Sequence, residues 1–593
     1  MSVNWTPEQL QAINARGSNI LVAAAAGSGK TAVLVERIIR RVCDAENPSS
    51  IDRLLILTYT EAAAAEMKRK IADAIAKQIK ENPDNEYLRR QGMLIHSAHI
   101  STIHAFCMAI IQNNIHKTAI PPDFSLIDDT ENKLLKNQAL DAVLESYYKR
   151  IEKKDAFRDL TVGYGGIKTD DNLRGTVLKL YEFVQSLAYP EKWLKTAADQ
   201  YKKVVKANSV EGTVWEKLLV DICYDLSKEI KESLDAVMAL IEDTVPHDHK
   251  CYIYYTDMYA EFNSLFSLVL NKSASYSELA ESVTNFSIPR FYGKSGIDDD
   301  IIYTLESIRK EIISKNLKEM AELVNAANSE NIEKIIKCSP RVQVLKQLVR
   351  QTERLHKSMK REKSFLDFND LEHETIGLIS TRKGEPTQLA IELQDRFDEI
   401  LVDEYQDTSN IQDTMFRLIS KDNKNIFMVG DLKQSIYRFR NAAPDIFAEK
   451  YREYLKGNGG ICIRLFKNFR SRTQIIDSVN GLFSSIMKRE TGGIDYTKEE
   501  YLVYGADYAE DCGNFTTEIL LTDTDKNHYP DEYLEYSSNQ LEAITVARRI
   551  RNMVDNCELY VKDKATNQPR PVRFGDITIL IRNKSKAPEL KEI

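Results

Sequence analysis

The apolar positions of this chain follow two rhythms. Short continuous runs, such as Ile20 to Ala26, Leu54 to Leu57, Ile400 to Val402 and Ile426 to Val429, stop at turn-forming or acidic residues, as strands buried on both faces do. Segments such as Ala32 to Ile39 and Glu61 to Ile71 are instead rich in helix formers. His99 to Cys107 adds a third strand–helix unit. This alternation predicts an α/β fold, a parallel sheet covered by helices. After Pro121-Pro122 the rhythm changes, and residues 119–364 read as long, charged, helix-periodic segments. They predict a mostly helical insertion that divides a first lobe into residues 1–118 and 365–457. Further apolar runs at Ile461 to Phe466 and Ile577 to Ile581 predict a second sheet, in a lobe spanning 458–593.

Candidate chemistry lies where the runs stop. The first run ends in Ala24-Ala25-Ala26-Gly27-Ser28-Gly29-Lys30-Thr31 and leads into a helix, the context a phosphate-binding loop requires. Gly27 and Gly29 let backbone N–H groups close around phosphate oxygens, and the positive end of the helix adds attraction. Lys30 is placed to reach β- and γ-phosphates and the Thr31 hydroxyl to ligate Mg²⁺. Ala24 stands where the general pattern has its first glycine, and an ordinary glycine-rich turn is the alternative. The run at 397–402 ends in Asp403-Glu404, where an open α/β sheet places its ligands. Asp403 would hold Mg²⁺, directly or through water, and Glu404 would orient and polarise an attacking water. The alternative there is an acid-rich turn. Thr6, Pro7 and Gln9 spell a capped helix start. The Gln9 amide either only closes that cap or also bonds an adenine edge, since it offers donor and acceptor. Leu432 to Arg440 interleaves rings with arginines, suited to stacking bases and holding phosphates, or to packing an amphipathic face on the core. Tyr59 and His104, taken alone, read as packing residues.

Composition narrows the choice. A chain of 593 residues, 43% hydrophobic and 29% charged, is several globular domains. The early apolar run is far shorter than the ~20 residues of a membrane helix, and Met1 to Glu8 carries no basic-then-apolar secretory pattern. The eight cysteines are scattered without a C-x-x-C pair, so neither a zinc nor an iron–sulfur site is expected, and a reducing, cytoplasmic location is. A net charge of −8 argues against a protein that coats duplex DNA. It leaves open a motor that grips one strand in an internal groove through local charge and stacking.

Taken in order, the motifs resemble superfamily 1 DNA helicases of the UvrD/Rep type, most closely the AddA family, whose members are one component of bacterial ATP-dependent helicase/nucleases. The resemblance rests on Trp5 to Gln9, Ala23 to Thr31 with the helix that follows, Ala62 to Met67 and Ile100 to Cys107. It rests equally on Asp367 to Leu371, Val402 to Thr408, Gly430 to Arg440 and Asn468 to Ser471, and is weak in the helical insertion. It implies two RecA-like lobes, the second incomplete, with ATP and Mg²⁺ bound between them. Gln9 would read adenine, Lys30 and Thr31 would serve the phosphates and Mg²⁺, and Asp403 and Glu404 would carry hydrolysis. Gln434 is implied as the γ-phosphate sensor, and Arg470 as a charge brought onto the γ-phosphate from the second lobe. Tyr59, His104, Tyr437, Phe439 and Arg440 match positions that contact single-stranded DNA in relatives. Ala32 stands where UvrD-type relatives often have arginine, and Phe439 where tryptophan is common. The implied activity is ATP-driven 3′→5′ translocation on DNA within a helicase–nuclease for double-strand-break repair, with no membrane and with an AddB-type partner subunit. Family members continue into a second insertion, the rest of the second lobe and a nuclease domain. None of these is recognisable here, so the chain is expected to be about the first half of a longer protein. A stand-alone repair helicase and a non-catalytic DNA- or partner-binding arm are the competing readings.

Overall fold

A computed structural model describes residues 4–592, except 45, 153–154, 165–168, 489–493, 507, 509–514, 524, 526–527, 529, 531–534, 564–565 and 567. The chain divides into two compact units, Met1–Thr118 with Leu371–Ile593, and Ala119–Asp370.

The first unit is built on a six-stranded parallel sheet. Its strands are β1 (Ile20–Ala24), β2 (Leu54–Thr58), β3 (His99–Thr102), β4 (Glu399–Val402), β5 (Ile426–Gly430) and β6 (Ile461–Leu465), in the order β3-β2-β4-β5-β1-β6. The central strands are buried along their whole length, which is why they read as unbroken apolar runs rather than alternating ones. Helix α1 (Pro7–Asn14) and helix α2 (Lys30–Val42) pack on the sheet. Val33, Leu34 and Ile38 of α2 meet Ile20, Val22, Leu401 and Phe427 in one core. Arg37 of α2 lies inside that core, 1% exposed. Its Nε donates to Glu399 Oε1 (3.0 Å), its Nη1 donates to Ala12 O (2.7 Å), and its guanidinium lies 4.2 Å from the centre of the Phe427 ring. One side chain thus ties α1, α2, β4 and β5 together.

Two sequence expectations are corrected here. Ile461 to Phe466, read as the start of a second sheet, instead closes the first: β6 runs parallel to β1 from Ile20↔Ile461 to Ala24↔Leu465. Ile463 and Leu465 turn into the core while Ile461 is exposed, as befits an edge strand. An apolar run announces a strand but not the ladder it joins. Ile577 to Ile581 forms no strand, and Leu580 is 92% exposed. Without a hydrogen-bonding neighbour an apolar run has no ladder to enter. Beyond Leu465 the described residues pair only in short stretches, Lys467–Asn468 with Val503–Tyr504 and Tyr560–Lys562 with Pro569–Pro571.

Among the described residues the second unit is helical apart from a two-residue parallel pairing of Ser125–Leu126 with Phe365–Leu366, which sets its first and last segments side by side. Its long helices include Val214–Thr244, Lys250–Leu270 and Ser329–Glu362. One of its cores is aromatic, with Tyr254, Tyr255, Phe262 and Phe266 packed on Leu234 and Val237. Lys360, 2% exposed, bridges Asp367 Oδ2 (2.6 Å) and Asp370 near its end. No helix among the described residues is long and apolar enough to cross a membrane.

Replacing Arg37 by methionine takes the near partner from the buried Glu399 carboxylate, leaving it Arg41 Nε at 3.7 Å, and is expected to cost about 3 kcal/mol of stability. The double variant Arg37→Met/Glu399→Leu, which removes both charges, is expected to recover most of that loss. Urea denaturation checks this; a single variant within about 0.5 kcal/mol of the parent contradicts it.

Candidate active site

Helix α2 begins directly after the glycine-rich loop. Its N-cap is Gly29, at φ +83°, with no side-chain cap and no acidic residue in the first turn. Its leading N–H groups and positive end are therefore left for an anion. Gly27 also has positive φ (71°), and a Cβ there would lie 2.8 Å from Asn468 Oδ1 and 2.9 Å from Arg470 Cβ. The loop is thus closed down on residues 468–471. Asn468 Nδ2 donates to Ala26 O (2.9 Å), and Phe469 N donates to Gly27 O (2.8 Å). Asn468 Oδ1 accepts from the backbone N–H groups of Arg470 and Ser471, at 2.8 and 2.7 Å. The clamp brings Arg470 to the loop. On the other side Gln9 Nε2 donates to Ser28 O (3.0 Å), while Gln9 Oε1 accepts from Thr6 N (2.9 Å). Gln9 therefore closes the helix cap and braces the loop at once. A cavity of about 440 Å³ opens beside it, lined among others by Gln9, Ser28, Phe466 and Phe469.

The paired acids follow β4. Asp403 N donates to Leu57 O (3.0 Å), and Asp403 Oδ1 accepts from Glu404 N (3.0 Å). Glu404 is held in the left-handed region at φ +50°, a conformation that costs a glutamate on the order of 1 kcal/mol. Its Oε2 accepts from Lys30 Nζ (3.3 Å) and from Gln406 Nε2 (2.7 Å). Gln406 Oε1 accepts in turn from Asp431 N (2.9 Å), and Asp431 Oδ2 accepts from Gln434 Nε2 (2.7 Å). Lys30, Glu404 and Gln434 are therefore links of one hydrogen-bonded chain. Gly430 is what lets it close, because a Cβ there would lie 2.3 Å from Gln406 Oε1.

The expected contacts to a strand of DNA fall on the same sheet edge. Tyr59 follows β2 and packs its ring 5.1 Å from that of Tyr437, which lies 5.7 Å from Phe439. Phe439 is 76% exposed. His104, second residue of the helix that follows β3 (Ile103–Asn113), sits with Nε2 3.3 Å from Glu372 Oε1. The Arg440 side chain lies outside the described residues.

Sequence reading missed Gln406, Asn468 and Phe469. Each sits inside a motif already singled out, yet only the fold shows that two side-chain amides and the Phe469 backbone N–H bind loop to loop. The residues suit a nucleotide with Mg²⁺. The buried Ser28 Oγ and Asp407 Oδ1 lack hydrogen-bond partners, beside an uncapped helix start and paired carboxylates. Burial, then the neighbouring Glu404 charge, pushes the Asp403 carboxyl up to about 6; the same two causes, in the same order, push Asp407 up to about 6.

A carboxyl raised on folding holds its proton more tightly in the folded chain, so its contribution to stability is lost as pH climbs from about 4 to about 6. Asp403→Asn is therefore expected to match the parent at about pH 4 and exceed it at pH 7.5 by on the order of 2 kcal/mol, without ligand. Thermal midpoints across that range check it; a variant less stable than the parent at pH 7.5 contradicts it.

The sequence profile of the UvrD/REP helicase N-terminal domain matches residues 5–455. The chain is 37% identical to the A-type subunit of the ATP-dependent helicase/nuclease of Clostridium beijerinckii, over 98% of this chain and 48% of that protein. It is 37% identical to the protein of the same name from Acetivibrio thermocellus (98% and 49%) and 36% to that from Bacillus cereus (99% and 48%). The chain spans about half the length of the curated relatives it matches. With the profile matched over most of its residues, the chain belongs to the UvrD/REP helicase family.

Proposed function

We propose that the chain is the ATP-hydrolysing, strand-tracking part of an ATP-dependent 3′→5′ DNA helicase, the AddA component of a cytoplasmic helicase–nuclease that works with an AddB-type partner in double-strand-break repair. The relatives' shared name supports the assignment to a helicase/nuclease. The observation that carries the motor reading is the hydrogen-bonded chain from Lys30 through Glu404, Gln406 and Asp431 to Gln434. In this reading residues 1–118 and 365–457 form a first lobe, with 119–364 inserted. Because the strand Ile461–Leu465 belongs to the first sheet, the first lobe would extend to Leu465 and the second, placed at 458–593 from sequence, would start after it.

The purine would enter the cavity beside Gln9 and stack on Phe469, with its phosphates in the loop of Ala24 to Thr31. Lys30 would then exchange Glu404 for the β- and γ-phosphates. That exchange leaves Glu404, still held by Gln406, to orient the attacking water. Thr31 and Asp403 are the groups that would hold Mg²⁺, whose charge stabilises the phosphoryl group being transferred. Arg470, fixed by the Asn468 clamp, would add positive charge at the γ-phosphate. Gln434 lies three positions before Tyr437, so a shift of Gln434 toward the γ-phosphate would move the ring row of Tyr59, Tyr437 and Phe439 against the bases. His104 and Arg440 would hold the same strand.

Lys30→Ala is expected to lower DNA-stimulated ATP hydrolysis in the full-length protein by about 10³-fold or more. Turnover within tenfold of the parent removes the loop from the mechanism. Tyr437→Ala is expected to weaken binding to a single-stranded oligonucleotide by about 1–3 kcal/mol while ATP affinity stays within about twofold. Fluorescence anisotropy measures the first and a fluorescent ATP analogue the second; unchanged DNA affinity rules out the ring row as the track.

A further inference from the structure

We propose that Lys433 is a positioning residue for Gln434, and that its ion pair with Glu500 lets the segment after β6 set how tightly that side chain is held back. The proposal deepens the reading of Gln434 as the γ-phosphate sensor and rests on it.

The Lys433 ammonium lies 3.1 Å from Asp431 Oδ1 and 2.9 Å from Glu500 Oε2, with its side chain 15% exposed. Burial disfavours its charge, but the two acids hold it in the charged form. Glu500 ends a short helical turn, Lys498–Glu500, 67 positions further on, and its other oxygen accepts from Tyr451 Oη (2.9 Å). Asp431 is 3% exposed, and its second carboxylate oxygen carries the Gln434 amide at 2.7 Å. One buried carboxylate thus serves the Lys433 ammonium and backbone N–H (3.1 Å) through one oxygen and the Gln434 amide through the other.

In a site of low dielectric, the grip of a carboxylate on a neutral amide depends on how far a cation already neutralises it. When Lys433 is drawn toward Glu500, the Asp431 charge falls on Gln434 and holds it away from the phosphates. When Lys433 settles on Asp431, the amide loosens. A small displacement of residues 498–500 relative to the turn after β5 is enough to change that balance. A lysine needed only to neutralise Asp431 has no use for a second, half-buried acid from so far along the chain.

The test is steady-state ATP turnover by the full-length protein, with and without single-stranded DNA, alongside thermal midpoints. Lys433→Met takes the cation from Asp431, leaving it the backbone N–H of residue 433 and the Gln434 amide, and is expected to lower kcat about tenfold with the KM for ATP within about twofold. Lys433→Arg, which keeps the charge, is expected to recover most of that loss. Glu500→Gln releases Lys433 to Asp431 and is expected to raise turnover without DNA about threefold. The inference is overturned if Lys433→Met and Glu500→Gln leave kcat within twofold of the parent, or if they lower only the thermal midpoint. Should Lys433→Met not fold, Glu500→Gln and Lys433→Arg decide the matter on the same criteria. Gln434→Ala serves as the reference: if it too turns over normally, the sensor reading itself fails and takes this inference with it. If it is slow while the Lys433 and Glu500 variants are not, this inference alone fails.

Discussion

The contact of the Lys30 ammonium with the Glu404 carboxylate joins residues 374 positions apart, and the organisation of the site depends on it. Strands β1 and β4, which deliver the two groups, are not neighbours; β5 lies between them. The space above β5 is therefore where the site is closed. Gly430 at its end leaves room for the Gln406 amide, which connects the acid side to the turn carrying Gln434. A side chain at Gly430 would part the two halves without touching either charge.

The same edge explains how one sheet could serve both of the uses proposed for it. Reading along it, β6, β1, β5 and β4 bear the clamp, the glycine-rich loop, Asp431 and Asp403. Strands β2 and β3 continue it with Tyr59 and His104. The segment after β5 carries Gln434, bonded to Asp431, and Tyr437, packed against Tyr59, so it spans both halves of the edge. A parallel sheet gathers all its strand ends of one polarity on one edge, so such coupling needs only short segments. Asn468 serves the same economy, holding the loop through Ala26 and the Arg470 backbone through its other atom.

Much of this was legible in the sequence because buried parallel strands are unbroken apolar runs, and what interrupts them is chemistry. Gly27, Lys30, Asp403 and Glu404 stand at such interruptions. Two features were beyond its reach for physical reasons. The run at Ile461 reports that a strand forms, but only the open edge of β1 decides that it joins the first sheet. Gln406, Asn468 and Lys433 are polar residues among other polar residues, and their roles exist only through partners brought to them by folding. Gln9 shows a third case: its oxygen closes the helix cap, one of the uses its motif suggests, while its nitrogen braces the loop through Ser28 O, a partner that folding brings to it.

The central claim is that loop, acids, sensor and clamp form one nucleotide site. Hydrogen–deuterium exchange with and without Mg²⁺ and a non-hydrolysable ATP analogue tests it most directly. The account predicts that amides at 26–31, 403–407, 430–435 and 468–471 gain protection together, with the same dependence on nucleotide concentration. Protection of 26–31 alone, with the other three segments unchanged at saturation, would contradict it.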